Sequence, residues 1–242
     1  MTAKQFCELR KAASLTQAAV ADALGVGIRT ISAWETSDPP KEFGPIEARA
    51  IHDLFCPLLL EQRLRDQTER AFAAIPSEFV GIWFVDGAEC VLLPGATRVH
   101  DSSTGQKLDV PSARCIAPLV NESLTTYPLR SGALLNLAGD AITRHRAKKY
   151  KASRASQVFR GGICESLLHV PAFEESASGP HPVLLLSFEN KLDGQQHAIV
   201  PAPGVTQIYT AEDQTIGESL AEEFKLDLRP LLQLLDVLET GR

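Results

Sequence analysis

Residues 15–35, LTQAAVADALGVGIRTISAWE, leave few choices for the first quarter of the chain. Thr16 is a good helix N-cap, and from Gln17 the apolar positions Val20, Ala21 and Leu24 fall at helical spacing. Ala21 is small, which suits close approach by a second helix. Gly25 ends the helix, because glycine readily enters the left-handed conformation of a tight inter-helix turn. Beyond it Val26, Ile31 and Trp34 recur on one face and leave Ile28, Arg29, Ser32 and Ala33 on the other. A short helix held by one face in this way fits the major groove of DNA with the other. Upstream, residues 3–13 read as a helix whose stripe of Phe6, Leu9 and Ala13 packs on the two that follow.

With Phe6, Leu9 and Arg10, this stretch is similar to the XRE helix-turn-helix family of phage repressors and Cro. The likeness lies in the Thr-Gln opening, the Ala-x-x-Leu-Gly-Val turn and the closing Ile-Ser-x-Trp-Glu. It implies an ion pair between Arg10 and Glu35 and a DNA contact from Gln17, next to Thr16, at the start of the second helix. It also implies that Ile28, Arg29, Ser32 and Ala33 face the bases, with Thr30 nearer the phosphates. Two positions depart from the pattern. Gly27 stands where a serine or threonine cap is expected, a change worth only a few tenths of a kcal/mol. Ile28 and Ala33 cannot hydrogen-bond a base edge, although both fit against a thymine methyl. Arg29 is then the candidate for a polar base contact, with a phosphate contact or a solvated surface position as the alternative.

Charge complicates a DNA-binding reading. The net charge is -6, and residues 1–56 hold six Lys and Arg against seven Asp and Glu. Phosphate neutralisation supplies most non-specific affinity, so one copy alone is expected to bind DNA poorly. A homodimer, or basic residues elsewhere, would make up the difference. Residues 144–160 are such a source: they hold seven of the 24 Lys and Arg and no acid. Arg144, Arg146, Lys148, Lys149, Lys151 and Arg154 are accessory candidates for DNA or anion contacts, with a solvated loop as the alternative.

The 242 residues, 44% hydrophobic and 22% charged, suit two globular domains. No apolar run approaches the roughly 18 residues that span a bilayer, and no apolar signal core follows the first methionine, so a cytoplasmic protein without a membrane partner is expected. Five cysteines without a CxxC pair argue against a disulfide framework or a zinc site, and no metal or cofactor is expected. Nor is an enzyme, since the sequence pairs no nucleophile with a base and has no phosphate-cradling glycine loop.

After the turn-rich SDPPKEFG, Pro45 suits the start of a fourth helix reaching about Phe55, and Pro57 the start of a fifth reaching about Ile75. In the latter, Leu60, Leu64, Gln67, Ala71 and Ala74 form either a short coiled-coil seam or a face that covers a sheet. From Phe79 the period changes. FVGIWFVDG and AECVLLPG read as a hairpin across an Asp-Gly turn, and ESLLHVPAF and HPVLLLSFEN as two further buried strands. YTAEDQTIGESLAEEF returns to helix, with Thr210 as cap and Asp213 three residues on. The end, LRPLLQLLDVLE, sets Leu228, Leu231, Leu232, Leu235 and Leu238 on one wide apolar face, which must pack on the chain or on a second copy.

This order, from lead-in helix through GIWFVD hairpin to LLLSFEN strand and Tyr-Thr-x-Glu-Asp helix, resembles the GAF domain family over roughly residues 58–226. The resemblance implies a dimerising, small-molecule-sensing module with an antiparallel sheet between helices. No bilin is implied, because Cys115 precedes Ile116 and Cys164 precedes Glu165, where bilin-binding members have histidine. Trp83, Tyr127, His169 and Phe188 are candidates to line a ligand pocket, or are simply core.

The expected fold class is an all-α N-terminal helix-turn-helix domain followed by an α+β GAF-like domain, an antiparallel sheet flanked by helices. The expected organisation is a DNA-binding domain over 1–56, a linker or dimerisation helix over 57–78, a GAF-like domain over 79–226 and an amphipathic helix over 227–242. The expected function is a dimeric, sequence-specific transcription regulator with double-stranded DNA as partner and a small-molecule effector as input. Two alternatives stand beside it: a protein-interaction module whose helix-turn-helix no longer reads DNA, and a thiol-based redox regulator using Cys115 or Cys164.

Overall fold

The computed structural model describes residues 1–108, 115–120, 123–146, 164–177 and 179–240. The chain divides into two compact units, Met1–Gln62 with Leu228–Arg242, and Arg63–Asp227. No helix among the described residues is long and apolar enough to cross a membrane.

In the first unit, helix α1 (Ala3–Ala12) begins in a capping box. The Thr2 hydroxyl accepts from the Gln5 amide at 3.3 Å, and the Gln5 side chain accepts from the Thr2 amide at 2.8 Å. Helix α2 (Gln17–Leu24) has Thr16 as its cap and ends at Gly25, whose φ of 66° is left-handed as the turn requires. Helix α3 (Ile28–Thr36) follows Gly27, which supplies no side-chain cap. The core is Phe6, Val20, Ala21, Ile31, Phe43, Ile51 and Phe55, with Leu9, Ala13, Val26 and Trp34 packed against it. Trp34 meets Phe6 and Phe43 edge-on, at centroid distances of 5.7 and 5.0 Å, the geometry that the ring quadrupoles favour.

The helices expected before and after Pro57 are one. Helix α4 runs without interruption over Pro45–Ala74 with Pro57 inside it. Proline removes one hydrogen bond to the carbonyl four residues earlier, here that of Asp53. Both Pro57 and Asp53 are exposed, so water can satisfy that carbonyl. The buried positions Ile51, Phe55 and Cys56 before the proline continue as Leu60 and Leu64 after it. One uninterrupted apolar stripe therefore outweighs the local break. Of the face named from the sequence, Leu60, Leu64, Gln67 and Ala71 are buried and Ala74 is exposed.

The second unit is the expected antiparallel sheet with flanking helices. Its strands are β1 (Ser77–Asp86), β2 (Glu89–Asp101), β3 (Gln106–Leu108), β4 (Cys115–Pro118), β5 (Leu135–Ala138), β6 (Ser166–Glu174) and β7 (His181–Lys191). The order is β3-β2-β1-β7-β6-β5, with β4 also on β2. The expected hairpin forms, but it turns on Gly87, at φ 55°, and Ala88 rather than on Asp86 and Gly87, because Asp86 still pairs with Glu89. Ser77 to Phe84 are all buried, so β1 is covered on both faces, which its unbroken apolar run anticipated. Helices α5 (Thr126–Ser131) and α6 (Asp140–Arg144), like β5, lie in a stretch whose pattern signalled no element.

Helix α7 (Ala211–Thr240) joins into one element the two helices expected around residue 227. Its start is the predicted capping box: the Thr210 amide donates to Asp213 at 2.6 Å and the Asp213 amide to the Thr210 hydroxyl at 3.2 Å. Burial pushes the Asp213 carboxyl up, but the Lys191 ammonium and the Thr210 hydrogen bonds outweigh it and hold the group below its ordinary value. Gly217 faces β6: a Cβ there would lie 3.0 Å from Val170 and 3.7 Å from Leu168. The same position would be 3.8 Å from Ile75, just past the end of α4.

Candidate nucleic-acid interface

The scaffold of the helix-turn-helix is pinned at one carboxylate. Arg10 Nε donates to Glu35 Oε1 at 2.6 Å and Arg10 Nη2 to Glu35 Oε2 at 3.0 Å, a two-pronged pair across 25 residues. Arg10 Nη1 also donates to the Leu15 carbonyl at 2.7 Å, which fixes the loop into α2. Gln17 Nε2 donates to Glu35 Oε2 at 2.9 Å. The side chains of Arg10 and Glu35 are only 13% and 7% exposed, so screening by solvent is limited. The hydrogen bond from Arg10 holds the Glu35 carboxyl below its ordinary value against the opposing effect of burial, with Gln17 assisting.

That geometry gives Gln17 a second role. The sequence placed it as a DNA contact, and the structure ties its amide nitrogen to Glu35. A glutamine amide has a second N–H and a carbonyl oxygen for an outside partner. Thr16 caps α2 by accepting from the Ala19 amide at 3.1 Å. The first amides of α2 lack intrahelical acceptors and lie at the positive end of its dipole, a favourable setting for phosphate.

Along α3 the expected two faces separate. Ile31 is wholly buried and Trp34 packs on the core, while Arg29 and Ala33 are exposed and Ile28 is 52% exposed. Thr30 and Ser32 are half-buried at the margin of that face. The exposed strip thus offers one guanidinium and two apolar contacts, bordered by two hydroxyls. Lys41 Nζ lies 4.4 Å from the Trp34 ring centroid and pairs with Glu47 at 2.8 Å, so part of its charge is engaged beside the core.

Of the accessory basic candidates, Arg144 pairs with Asp140 at 3.0 Å on the surface. Arg146 stacks 4.9 Å over Tyr127 and donates to its hydroxyl at 2.9 Å. Both belong to the second unit. Lys148, Lys149, Lys151 and Arg154 lie outside the described residues.

The pocket candidates do not all meet. Trp83 and His169 are buried on one face of the sheet, whereas Phe188 is buried on the other and Tyr127 is half-buried against His145 and Arg146. The half-buried Cys164 thiol donates to the Ser166 carbonyl oxygen at 3.4 Å, and the Cys115 side chain lies outside the described residues.

Residues 8–43 match the helix-turn-helix family model, so the first unit contains a helix-turn-helix of the XRE type. Among solved structures the chain is similar to residues 122 to 287 of a methyl-accepting chemotaxis protein, at 12% identity over 72% of this chain and 92% of that one, with a TM-score of 0.48. It is similar to the GAF domain of a two-component sensor histidine kinase from Bacillus halodurans at 12% identity, over 75% and 97% of the two chains, with a TM-score of 0.40. It is also similar to an IclR homolog from Microbacterium hydrocarbonoxydans, solved with 4-hydroxybenzoate, at 14% identity over 89% and 91%, with a TM-score of 0.36. No curated protein matches the chain.

Proposed function

We propose that this chain, a helix-turn-helix DNA-binding regulator of transcription, acts as a homodimer that reads a near-palindromic site, and that its second unit is a GAF-like module that dimerises it and senses a small ligand. The observation that carries the reading is the division of α3, with Ile31 and Trp34 held in the core and Ile28, Arg29 and Ala33 presented outward. Two such helices must lie one helical turn, about 34 Å, apart to enter successive major grooves, so one copy is insufficient. Six Lys and Arg against seven acids in residues 1–56 give the same requirement from electrostatics. In this reading the GAF-like module sets the spacing of the two heads, and a ligand shifts affinity by binding one spacing better than the other. Arg29 is assigned to a base edge, Ile28 and Ala33 to thymine methyls, and Thr16, Gln17 and Thr30 to the backbone.

Electrophoretic mobility shift of the full chain with genomic fragments, alongside sedimentation to establish the number of copies bound, tests this. Specific retardation by two copies, weakened in Arg29→Ala, is the expected outcome. Absence of retardation at low salt would favour the second reading, an interaction module. Two observations support that alternative: the acidic balance, and the Gln17 amide held by Glu35.

A further inference from the structure

We propose that His100 is a proton-operated release for helix α4, and that in mild acid its charged ring frees the end of α4 from the sheet. Arg98 and His100 are alternate residues of β2, and Lys107 of β3 is the direct cross-strand partner of His100. Their three side-chain positions therefore share one face of the sheet. Helix α4 closes over that face. The centroid of its Phe72 ring lies 3.7 Å from the Arg98 guanidinium carbon and 5.6 Å from the His100 ring centroid. About one turn earlier, Glu69 accepts from Arg98 Nε at 3.1 Å and from Lys107 Nζ. Beneath this clasp His100 is only 4% exposed, and its Nε2 has no hydrogen-bond partner. Folded proteins pair nearly all buried polar groups, so an orphaned imidazole nitrogen at this place asks for a purpose. All of these residues belong to the second unit.

The surroundings of that nitrogen decide what its protonation does. The ring donates to the Gln196 backbone and Nε2 takes no part, so Nδ1 is the donor. A second proton then sits on Nε2, buried and without an acceptor, on a face that already holds two cations. Burial and the Arg98 charge push the His100 pKa below its ordinary value, against the Gln196 bond and the charges of Glu78 and Asp101. Both acids are engaged elsewhere. Glu78 accepts from Ser102 and, at 2.8 Å, from Asn190 Nδ2, and Asp101 from the Ser103 and Thr104 hydroxyls. Burial pushes the Glu69 carboxyl up, but Lys107 and Arg98 hold it below its ordinary value, and the Ser103 and Thr104 bonds lower Asp101 to about 2. Glu69 and Asp101 therefore keep their charge while His100 changes. A histidine pKa lowered in the closed state leaves closure complete above the ordinary value, about 6.5, and weakens it as pH falls from there towards the lowered one. Helix α4 contributes residues 45–62 to the first unit, so the release loosens the helix that leaves the reading head.

The test takes the full chain through the range from neutral to mildly acidic pH. The His100 ring is followed by NMR, and the amides of residues 68–74 by hydrogen exchange corrected for the intrinsic rate. The expected protection is flat above about pH 6.5 and falls below it by up to about tenfold per pH unit, the limit for one proton, as the ring takes its charge. His100→Leu should make that protection independent of pH. Lys107→Gln removes one arm of the clasp and leaves His100 in place, so it should lower protection at every pH and keep the pH dependence. Flat protection in the parent chain, a pH dependence that His100→Leu leaves unchanged, or a loss that appears equally in the first unit would each overturn the proposal. If His100→Leu does not fold, the parent chain and Lys107→Gln decide: protection must fall together with the ring titration in both, and a ring that stays neutral until the whole chain unfolds sinks the idea.

Discussion

Gln17 Nε2 donates to Glu35 Oε2 at 2.9 Å, so the first residue of α2 is tied to the carboxylate that also receives Arg10 from α1. Three helices of the reading head therefore meet at one acidic side chain. The sequence resemblance assigned Gln17 outward, to DNA, and assigned Arg10 and Glu35 to each other. The structure adds the internal link and makes Gln17 a positioning residue whatever else it touches.

Removing Arg10 should destabilise the head by about 2–3 kcal/mol, between the small worth of an exposed pair and the cost of stranding a buried charge. Urea unfolding of Arg10→Ala followed at Trp34 measures this. Equal midpoints for the variant and the parent chain would show that the pair only decorates the fold.

Acid should loosen the same head. Glu35 has a folded-state pKa below its unfolded value, so its contribution is complete above the ordinary carboxylate value and is lost as pH falls through the lowered folded one. Trp34-detected melts should weaken over that acidic window in the parent chain and flatten in Arg10→Ala, where the main cause of the shift is gone.

Pro57→Ala should stabilise the chain by about 1–3 kcal/mol, because alanine restores the hydrogen bond to Asp53 within α4 and relieves the ring clash. Thermal unfolding decides it. A loss of stability would mean that Pro57 starts a helix, as the sequence alone suggested.

Arg29→Ala should cost about 1–3 kcal/mol of specific affinity and relax preference at one base pair, as for a bidentate guanine contact. Competition binding with single-base operator variants measures both. A uniform loss across sequences, with a salt slope shallower by about one, would reassign Arg29 to a phosphate.

Much of the reading head was legible because its signals are local. Thr16 and Gly25 set the ends of α2, and the spacing of Ile31 and Trp34 fixed the inward face of α3. The Thr2–Gln5 capping box is equally local, written in the sequence as Thr-x-x-Gln. In the second unit, the hairpin at Gly87 and the Thr210–Asp213 box were equally local. Helices α5 and α6 and strand β5 were not, because short elements of four to six residues carry too few periods to register.

By itself, then, the sequence determined caps, turns and the inward face of each long element, since these depend on neighbours within a few residues. Tertiary packing decided what those signals could not. It carried α4 through Pro57, because a continuous buried stripe from Ile51 to Leu64 offsets one lost hydrogen bond. It turned the Gln17 amide onto Glu35 across 18 residues. It also set Trp83, Ser187 and His169 on one sheet face, because only strand register brings residues 83, 187 and 169 together.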